Sequence, residues 1–325
     1  MTRSATRLFA GVVLAATTIA ASTIARADCL LFCGSYGKTK YPIVLAHGAA
    51  GFDRIGPLDY WYGIPSALQS AGASVHVTQV SALNSTEVRG EQLLAQVQDI
   101  VAITGKPKVN LIGHSHGSPT ARYVAGVAPQ LVASVTGVGG PNKGSPVADL
   151  LVGLAENSFI QAIGGDDIAF AIVDAVAPIL GIISSGPLDQ SAKGALYSLS
   201  SAGMADFNRR FPGGVPATAC GQGASVHNGV RYYSWSGDAS STGQITNVLD
   251  ILDVPLGISS IAFLGAGNDG LVGSCSSHLG TVIRDNYYQN HLDEVNQIVG
   301  LTSLLAANPK SLFREQANRL KNAGL

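Results

Sequence analysis

Apolar residues recur along this chain in two periods that take turns. Ile43-Val44-Leu45-Ala46 is a continuous run of the length of a buried strand, and it stops at the turn His47-Gly48-Ala49-Ala50-Gly51. Helical spacing follows near Ile64 to Gln69, and Ser74 to Val80 then alternates like a strand. Between Glu87 and Ile103, the residues Val88, Leu93, Leu94, Val97, Ile100 and Val101 fall on one side of a long helix. Val109 to Ile112 is again a short apolar run, Pro119 to Ala125 can continue as a helix with proline in its first turn, and Ala133 to Val138 reads as the next strand. Strands alternating with helices predict an α/β fold around a mostly parallel central sheet flanked by helices.

The regularity breaks from Leu150 to about Ser201, where the chain is helix-like, nearly uncharged and punctuated by glycine. Its apolar run Ile168 to Ile183 contains Asp174 and Pro178 and is too short to span a bilayer, so the segment reads as an inserted helical lid over the sheet, with plain core helices as the alternative. Alternation resumes at Val230 to Trp235, at Ser260 to Leu264 and at Thr281 to Ile283. A last helix is expected after Asp293, and the tail Pro309 to Leu325 is helical and basic. Residues 28–325 are expected to form a single domain carrying this insertion.

Composition narrows the class. Of the 325 residues 46% are hydrophobic and only 13% charged, with a net charge of −1, so the basic surface that a nucleic-acid partner needs is absent. Met1 to Arg7 carries two arginines, Leu8 to Ile24 is apolar and small, and Ala25-Arg26-Ala27 matches an A-x-A cleavage site; residues 1–27 are expected to be a signal peptide and the protein to be secreted. A secreted chain keeps disulfides, and Cys29, Cys33, Cys220 and Cys275 allow three pairings, of which proximity favours Cys29–Cys33 with Cys220–Cys275. Cys220 and Cys275 stand alone rather than in C-x-x-C pairs, which argues against zinc.

The candidate chemistry lies in Gly113-His114-Ser115-His116-Gly117, directly after the Val109 strand. A sharp strand-to-helix reversal strains its central residue and crowds its neighbours, so glycines flank it and the serine hydroxyl is pushed out at the strand end: the nucleophile-elbow pattern of α/β-hydrolases. Such a hydroxyl needs a base, and the base an acid, which in that fold follow the serine in the order acid, then histidine. Only His227, His278 and His291 come after Ser115. His291 follows the Thr281 strand and would emerge at the carboxyl end of the sheet, whereas His278 and His227 precede their strands; His291 is the expected base and His278 its competitor. For the acid, Asp269 follows the Ser260 to Leu264 run, with Asp238, Asp250 and Asp253 as competitors and turn chemistry as the plain alternative for an Asn-Asp-Gly sequence. The backbone N–H of His116 and that of Ala49, in the turn after the first strand, are the expected oxyanion donors.

Taken together, Tyr41-Pro42-Ile43-Val44-Leu45-Ala46-His47-Gly48, Asp59-Tyr60-Trp61, Glu87-Val88-Arg89-Gly90-Glu91-Gln92-Leu93, the Ser115 elbow, Tyr232 to Gly237, Asn268-Asp269-Gly270-Leu271-Val272 and His291-Leu292-Asp293-Glu294-Val295-Asn296-Gln297 resemble the secreted true lipases of the Pseudomonas and Burkholderia type. That resemblance implies a triacylglycerol hydrolase of the α/β-hydrolase fold, acting as a monomer on lipid esters at an interface, with Asp269 as the acid. It further implies a structural Ca²⁺ held by Asp250, Asp293, Gln297 and the Leu301 carbonyl, with Asp253 as an alternative to Asp250; without it, Asp293 would only cap the final helix. It implies a Cys220–Cys275 disulfide, and a dedicated chaperone (foldase) with secretion machinery as partners. Three residues depart from the family pattern: Ala49-Ala50 stands where relatives carry bulkier residues, and Ser118 where a third glycine is common. A carboxylesterase acting on steryl or polyester substrates, and a catalytically silent binding protein, are the competing readings.

Overall fold

The computed structural model describes residues 34–51, 54–55, 58–155, 188–241, 253–297, 300, 302 and 305–325. The expected signal peptide, Cys29, Cys33, Asp250, Leu301 and residues 156–187 of the expected insertion lie outside these residues. Among the described residues seven strands form the main sheet: β1 (Ile43–Ala46), β2 (Val75–Thr78), β3 (Val109–His114), β4 (Val132–Val138), β5 (Val226–His227), β6 (Val230–Gly237) and β7 (Thr281–Tyr287). The order is β2-β1-β3-β4-β6-β7 with every pair parallel, while the two residues of β5 lie antiparallel against the start of β6. The helices are α1 (Ile64–Ser70), α2 (Thr86–Thr104), α3 (Gly117–Val127), α4 (Pro146–Ala155), α5 (Ala192–Leu199), α6 (Ser201–Arg210), α7 (Asp253–Ser259) and α8 (Pro309–Asn322).

The strands read as unbroken apolar runs because both faces of the sheet are covered. Ile43 and Leu45 of β1 point into a core with Ile64 and Leu68 of α1 and Phe313 and Ala317 of α8; Val44 and Ala46 point the other way, into a core with Leu93, Val97 and Ile100 of α2 and Val124 of α3. Helix α2 starts where the Ser85 hydroxyl accepts the Val88 N–H at 3.3 Å and ends at Gly105 in the left-handed region. Its buried stripe is Thr86, Arg89, Gly90, Leu93, Val97 and Ile100, so a guanidinium occupies a position that the helical period assigns to the core.

Two expected elements differ from those observed. Ser260 to Leu264 is not a strand: α7 runs into a 3₁₀ turn at Ser260–Phe263, and the Ser259 and Ser260 hydroxyls donate to the carbonyls three residues back, Leu256 and Gly257. The apolar run looked strand-like because it is short, but Ile258, Ala262 and Phe263 pack at helical spacing on Val147 and Leu151 of α4. Among the described residues after Asp293 there is one 3₁₀ turn, Asp293–Val295, and the helix Pro309–Asn322 opens with Asn308 as its cap, so Asp293 does not cap it.

The ends of the expected insertion are fixed. Asp149 on α4 accepts hydrogen bonds from the Ser201 N–H at 2.7 Å and the Ser201 hydroxyl at 2.6 Å, which joins the point of departure to the point of return. Before that return, the Asp189 carbonyl accepts from the Ser81 hydroxyl and from Asn84, and the Leu83 N–H donates to the Gln190 side chain at 2.7 Å. Cys220 and Cys275 form the disulfide that the family pattern implied.

Candidate active site

Strand β3 passes straight into α3, and Ser115 stands at the reversal with φ of 55°, a left-handed backbone that costs a serine about 1 kcal/mol. The flanking glycines are steric requirements. A Cβ on Gly113 would stand 2.1 Å from the Gly117 carbonyl oxygen, and a Cβ on Gly117 the same distance from the Ala46 carbonyl oxygen of β1. The Ser115 N–H donates to the Val138 carbonyl at 2.9 Å, so the elbow remains tied to the end of β4.

His291 follows β7 as expected. Its Nδ1 lies 2.7 Å from Asp269 Oδ2, and its own N–H donates to the Asp269 carbonyl at 2.9 Å. The other Asp269 oxygen accepts the N–H groups of Leu271 and Val272 at 2.9 and 2.8 Å, which fixes the orientation of this fully buried carboxylate. With Nδ1 directed at that carboxylate, the proton sits on Nδ1 and Nε2 carries the lone pair; Nε2 is buried and has no hydrogen-bond partner among the described residues. The competitors are elsewhere. His278 bonds Asp285 at 2.9 Å and the Gly221 carbonyl beside the disulfide, His227 lies in β5, and Asp238 accepts from Ser274.

The turn after β1 closes over the serine: a Cβ on Gly48 would stand 2.7 Å from both the Ser115 Cβ and the Tyr60 hydroxyl. Around this turn the Gly48 N–H donates to the Tyr60 hydroxyl and the Ala50 N–H to the Ala82 carbonyl, both at 2.9 Å. The N–H groups of Ala49 and His116 have no acceptor among the described residues. Two unpaired donors beside a strained hydroxyl can receive an anionic oxygen.

The side chains of His47 and His116 have structural duties. His47 Nδ1 donates to the Gly48 carbonyl and Nε2 accepts the Val80 N–H, and burial with the neighbouring Arg89 charge lowers its pKa to about 3. His116 bonds the Thr86 hydroxyl at 2.8 Å, and burial with Arg89 likewise holds it well below the ordinary histidine range.

Arg89 is the site residue whose role sequence reasoning missed. Wholly buried, it donates to the carbonyls of His47 at 2.6 Å, Gly48 at 3.1 Å, Ala82 at 3.2 Å and Ser81, and to the Thr120 hydroxyl at 3.3 Å. No carboxylate pairs with it among the described residues, and burial depresses its pKa to about 9. The signal was its place in the apolar stripe of α2. A cation at a core position implies a buried set of acceptors.

Next to His291, Asn290 joins two buried carboxylates: its side-chain amide donates to Asp253 at 3.0 Å and its N–H to Asp293 at 3.3 Å. The side-chain amide oxygen of Gln297 in the same loop is buried without a partner among the described residues. Two carboxylates and an orphaned amide oxygen are the hard donors that Ca²⁺ takes, so Asp253, Asp293 and Gln297 fit the ion, while Asp250 and Leu301 lie outside the described residues.

Comparison with known proteins agrees with this architecture. Residues 41–279 match the alpha/beta hydrolase fold family. The chain is 50% identical to a triacylglycerol lipase of Vibrio cholerae, over 89% of this chain and 90% of that one. It is 45% identical to one of Pseudomonas fragi (89% and 98% covered) and 40% identical to one of Burkholderia plantarii (93% and 92%). Among solved structures, the Bacillus licheniformis lipase BlEst2 in mature form superposes with a TM-score of 0.58 at 18% identity, over 87% of this chain and 93% of that one, a likeness of fold alone. Matched along nearly its whole length by these lipases, the chain belongs to the alpha/beta hydrolase fold family and, within it, to the family of the bacterial triacylglycerol lipases.

Proposed function

We propose that the protein hydrolyses long-chain acylglycerols, triacylglycerols among them, with Ser115 as nucleophile, His291 as general base and acid, and Asp269 as the carboxylate that orients His291. The observation that carries this reading is the His291–Asp269 pair, whose free Nε2 is left for the serine proton. Ser115 Oγ attacks the ester carbonyl carbon while His291 Nε2 takes its proton. The carbonyl oxygen, now an anion, accepts from the Ala49 and His116 N–H groups. The intermediate collapses to an acyl-serine as His291 returns the proton to the departing alcohol. Water, deprotonated by the same nitrogen, then releases the fatty acid and restores Ser115.

Ca²⁺ held by Asp253, Asp293 and Gln297 would serve structurally, supplying charge neutralisation to two carboxylates beside the His291 loop. Export after removal of residues 1–27, and help from a dedicated foldase and secretion machinery, belong to the same reading and rest on the sequence pattern. The lipase names of the 40–50% identical relatives support the substrate class over steryl or polyester esters.

Ser115→Ala and His291→Ala should each lower turnover of an emulsified triacylglycerol by about 10⁶-fold with unchanged melting behaviour, since triad members act as a unit. His278→Ala should keep most activity. Retained hydrolysis in Ser115→Ala overturns the mechanism. A preference for short soluble esters over long acylglycerols overturns the substrate class. Chelation should lower the melting temperature of the wild type, and Asp253→Asn should remove that response; a chelator without effect on wild-type melting removes the ion.

A further inference from the structure

His114, the residue before the nucleophile, takes no part in the chemistry above, yet it is buried with both ring nitrogens engaged. Its Nε2 lies 2.9 Å from the His291 carbonyl oxygen, an atom that can only accept, so Nε2 carries the proton. Glu294 approaches the same nitrogen at 3.3 Å, with its other oxygen accepting the Gly237 N–H. His114 Nδ1 is therefore bare, and the group facing it at 2.5 Å is the Tyr60 hydroxyl, which must donate. With its proton directed there, the Tyr60 oxygen keeps a lone pair for the Gly48 N–H at 2.9 Å. The geometry points to one order: Gly48 N–H to Tyr60, Tyr60 O–H to His114, His114 N–H to the His291 carbonyl. Burial supports each member of the chain. It holds His114 neutral, with the His291 ring 4.6 Å away acting in the same direction, and it raises the Tyr60 phenol so that its proton is retained.

The two ends of this chain are the two moving parts of the proposed chemistry. Gly48 belongs to the turn that presents the Ala49 N–H, and the His291 carbonyl belongs to the loop that presents Nε2. The loops are far apart in sequence, and their backbones must agree to within about 0.5 Å for one tetrahedral centre to meet both. We propose that Tyr60 and His114 are positioning residues, a directed hydrogen-bond relay that sets the oxyanion turn and the His291 loop in one register. The proposal rests on the Ser115–His291–Asp269 reading.

The test is a double-mutant cycle on the full-length protein. Tyr60→Phe removes the hydroxyl, His114→Gln removes the acceptor facing it, and the pair is then combined. For each variant kcat and KM are measured on a p-nitrophenyl ester, and the fraction of functional serine is titrated with a phosphonate inhibitor. Each single variant should lower kcat about 10- to 100-fold with KM within about threefold, and the double variant should fall no further than the worse single one, because both changes cut the same relay. Losses that multiply, or Tyr60→Phe with wild-type kcat, overturn the relay. Where a variant fails to melt cooperatively, ¹⁵N NMR of the histidine-labelled wild type decides: the relay requires His114 as the Nε2–H tautomer, and an Nδ1–H tautomer overturns it. Ser115→Ala run in parallel separates the two readings. Turnover in that variant removes the mechanism itself, whereas an inactive Ser115→Ala beside a multiplicative cycle removes the relay alone.

Discussion

The turn after β1 and the turn after β3 meet over the same hydroxyl, but they are held in different ways. The β3 elbow is fixed by backbone sterics: Gly113 meets Gly117, Gly117 meets Ala46, and the Ser115 N–H reaches β4, all without a side chain. The β1 turn is fixed from outside, by the Arg89 guanidinium on its carbonyls, the His47 ring folded on Gly48, and Tyr60 beneath its N–H. The difference teaches where tolerance to substitution lies. A turn built from close backbone contacts fails at once when volume is added. A turn propped by side chains loosens by degrees as each prop is withdrawn.

The elbow should break first and completely. Gly117→Val places a branched side chain against the β1 carbonyls and is expected to abolish both activity and cooperative folding; a variant that melts normally and still turns over would show that the strands can part. Withdrawing one prop should cost less. Arg89→Lys keeps the charge but offers three donors to five acceptors, and kcat is expected to fall about 100-fold with KM within about threefold, as a displaced oxyanion donor requires. An unchanged kcat would show that the β1 turn holds itself.

The buried histidines give a third, milder test. His47, His114 and His116 are kept neutral in the fold while the unfolded chain protonates them near pH 6.5, so the unfolded state binds more protons at low pH and stability falls as pH drops below about 6.5. For His47 the loss should continue toward pH 3, reaching about 2 kcal/mol at pH 5. Denaturant midpoints measured from pH 7.5 to 5 check this, and His47→Gln should flatten the slope. The smallest effect is expected at Ala50, whose φ of 61° is the β1 turn's own strain; Ala50→Gly should raise stability by no more than about 1 kcal/mol. A loss there instead would mean that the Ala50 methyl, packed against Ala82, matters more than the strain.

The same contrast decides what could be read before the fold was known. The elbow was legible because its constraint is local, five residues whose volumes must suit one reversal. His291 was legible because chain order and the carboxyl end of β7 leave it little competition. Asp269 meets His291, but the strand expected directly before it at Ser260 to Leu264 is a 3₁₀ turn; the Asn-Asp-Gly-Leu-Val resemblance was the firmer signal, and the carboxylate is oriented by a turn of its own backbone. Asp253 stands beside Asp293 across Asn290, a juxtaposition that no spacing in the sequence announces, and Asp250 lies outside the described residues. Arg89 carried a readable clue, a charge in an apolar stripe. Tyr60 and His114 carried none, since their partners lie 54 and 177 residues apart in the chain.

The hydrogen bonds between Asp149 and Ser201 bear on how this molecule can change over generations. Two residues that are bonded to each other hold the same two positions whatever the length of chain between them, and doubling a flexible loop adds only about 0.6 kcal/mol of closure entropy. Chain length between Asp149 and Asp189 can therefore change over generations while both flanks, held by the Ser201 and Ser81 hydrogen bonds, leave the elbow, the β1 turn and the His291 loop where they are.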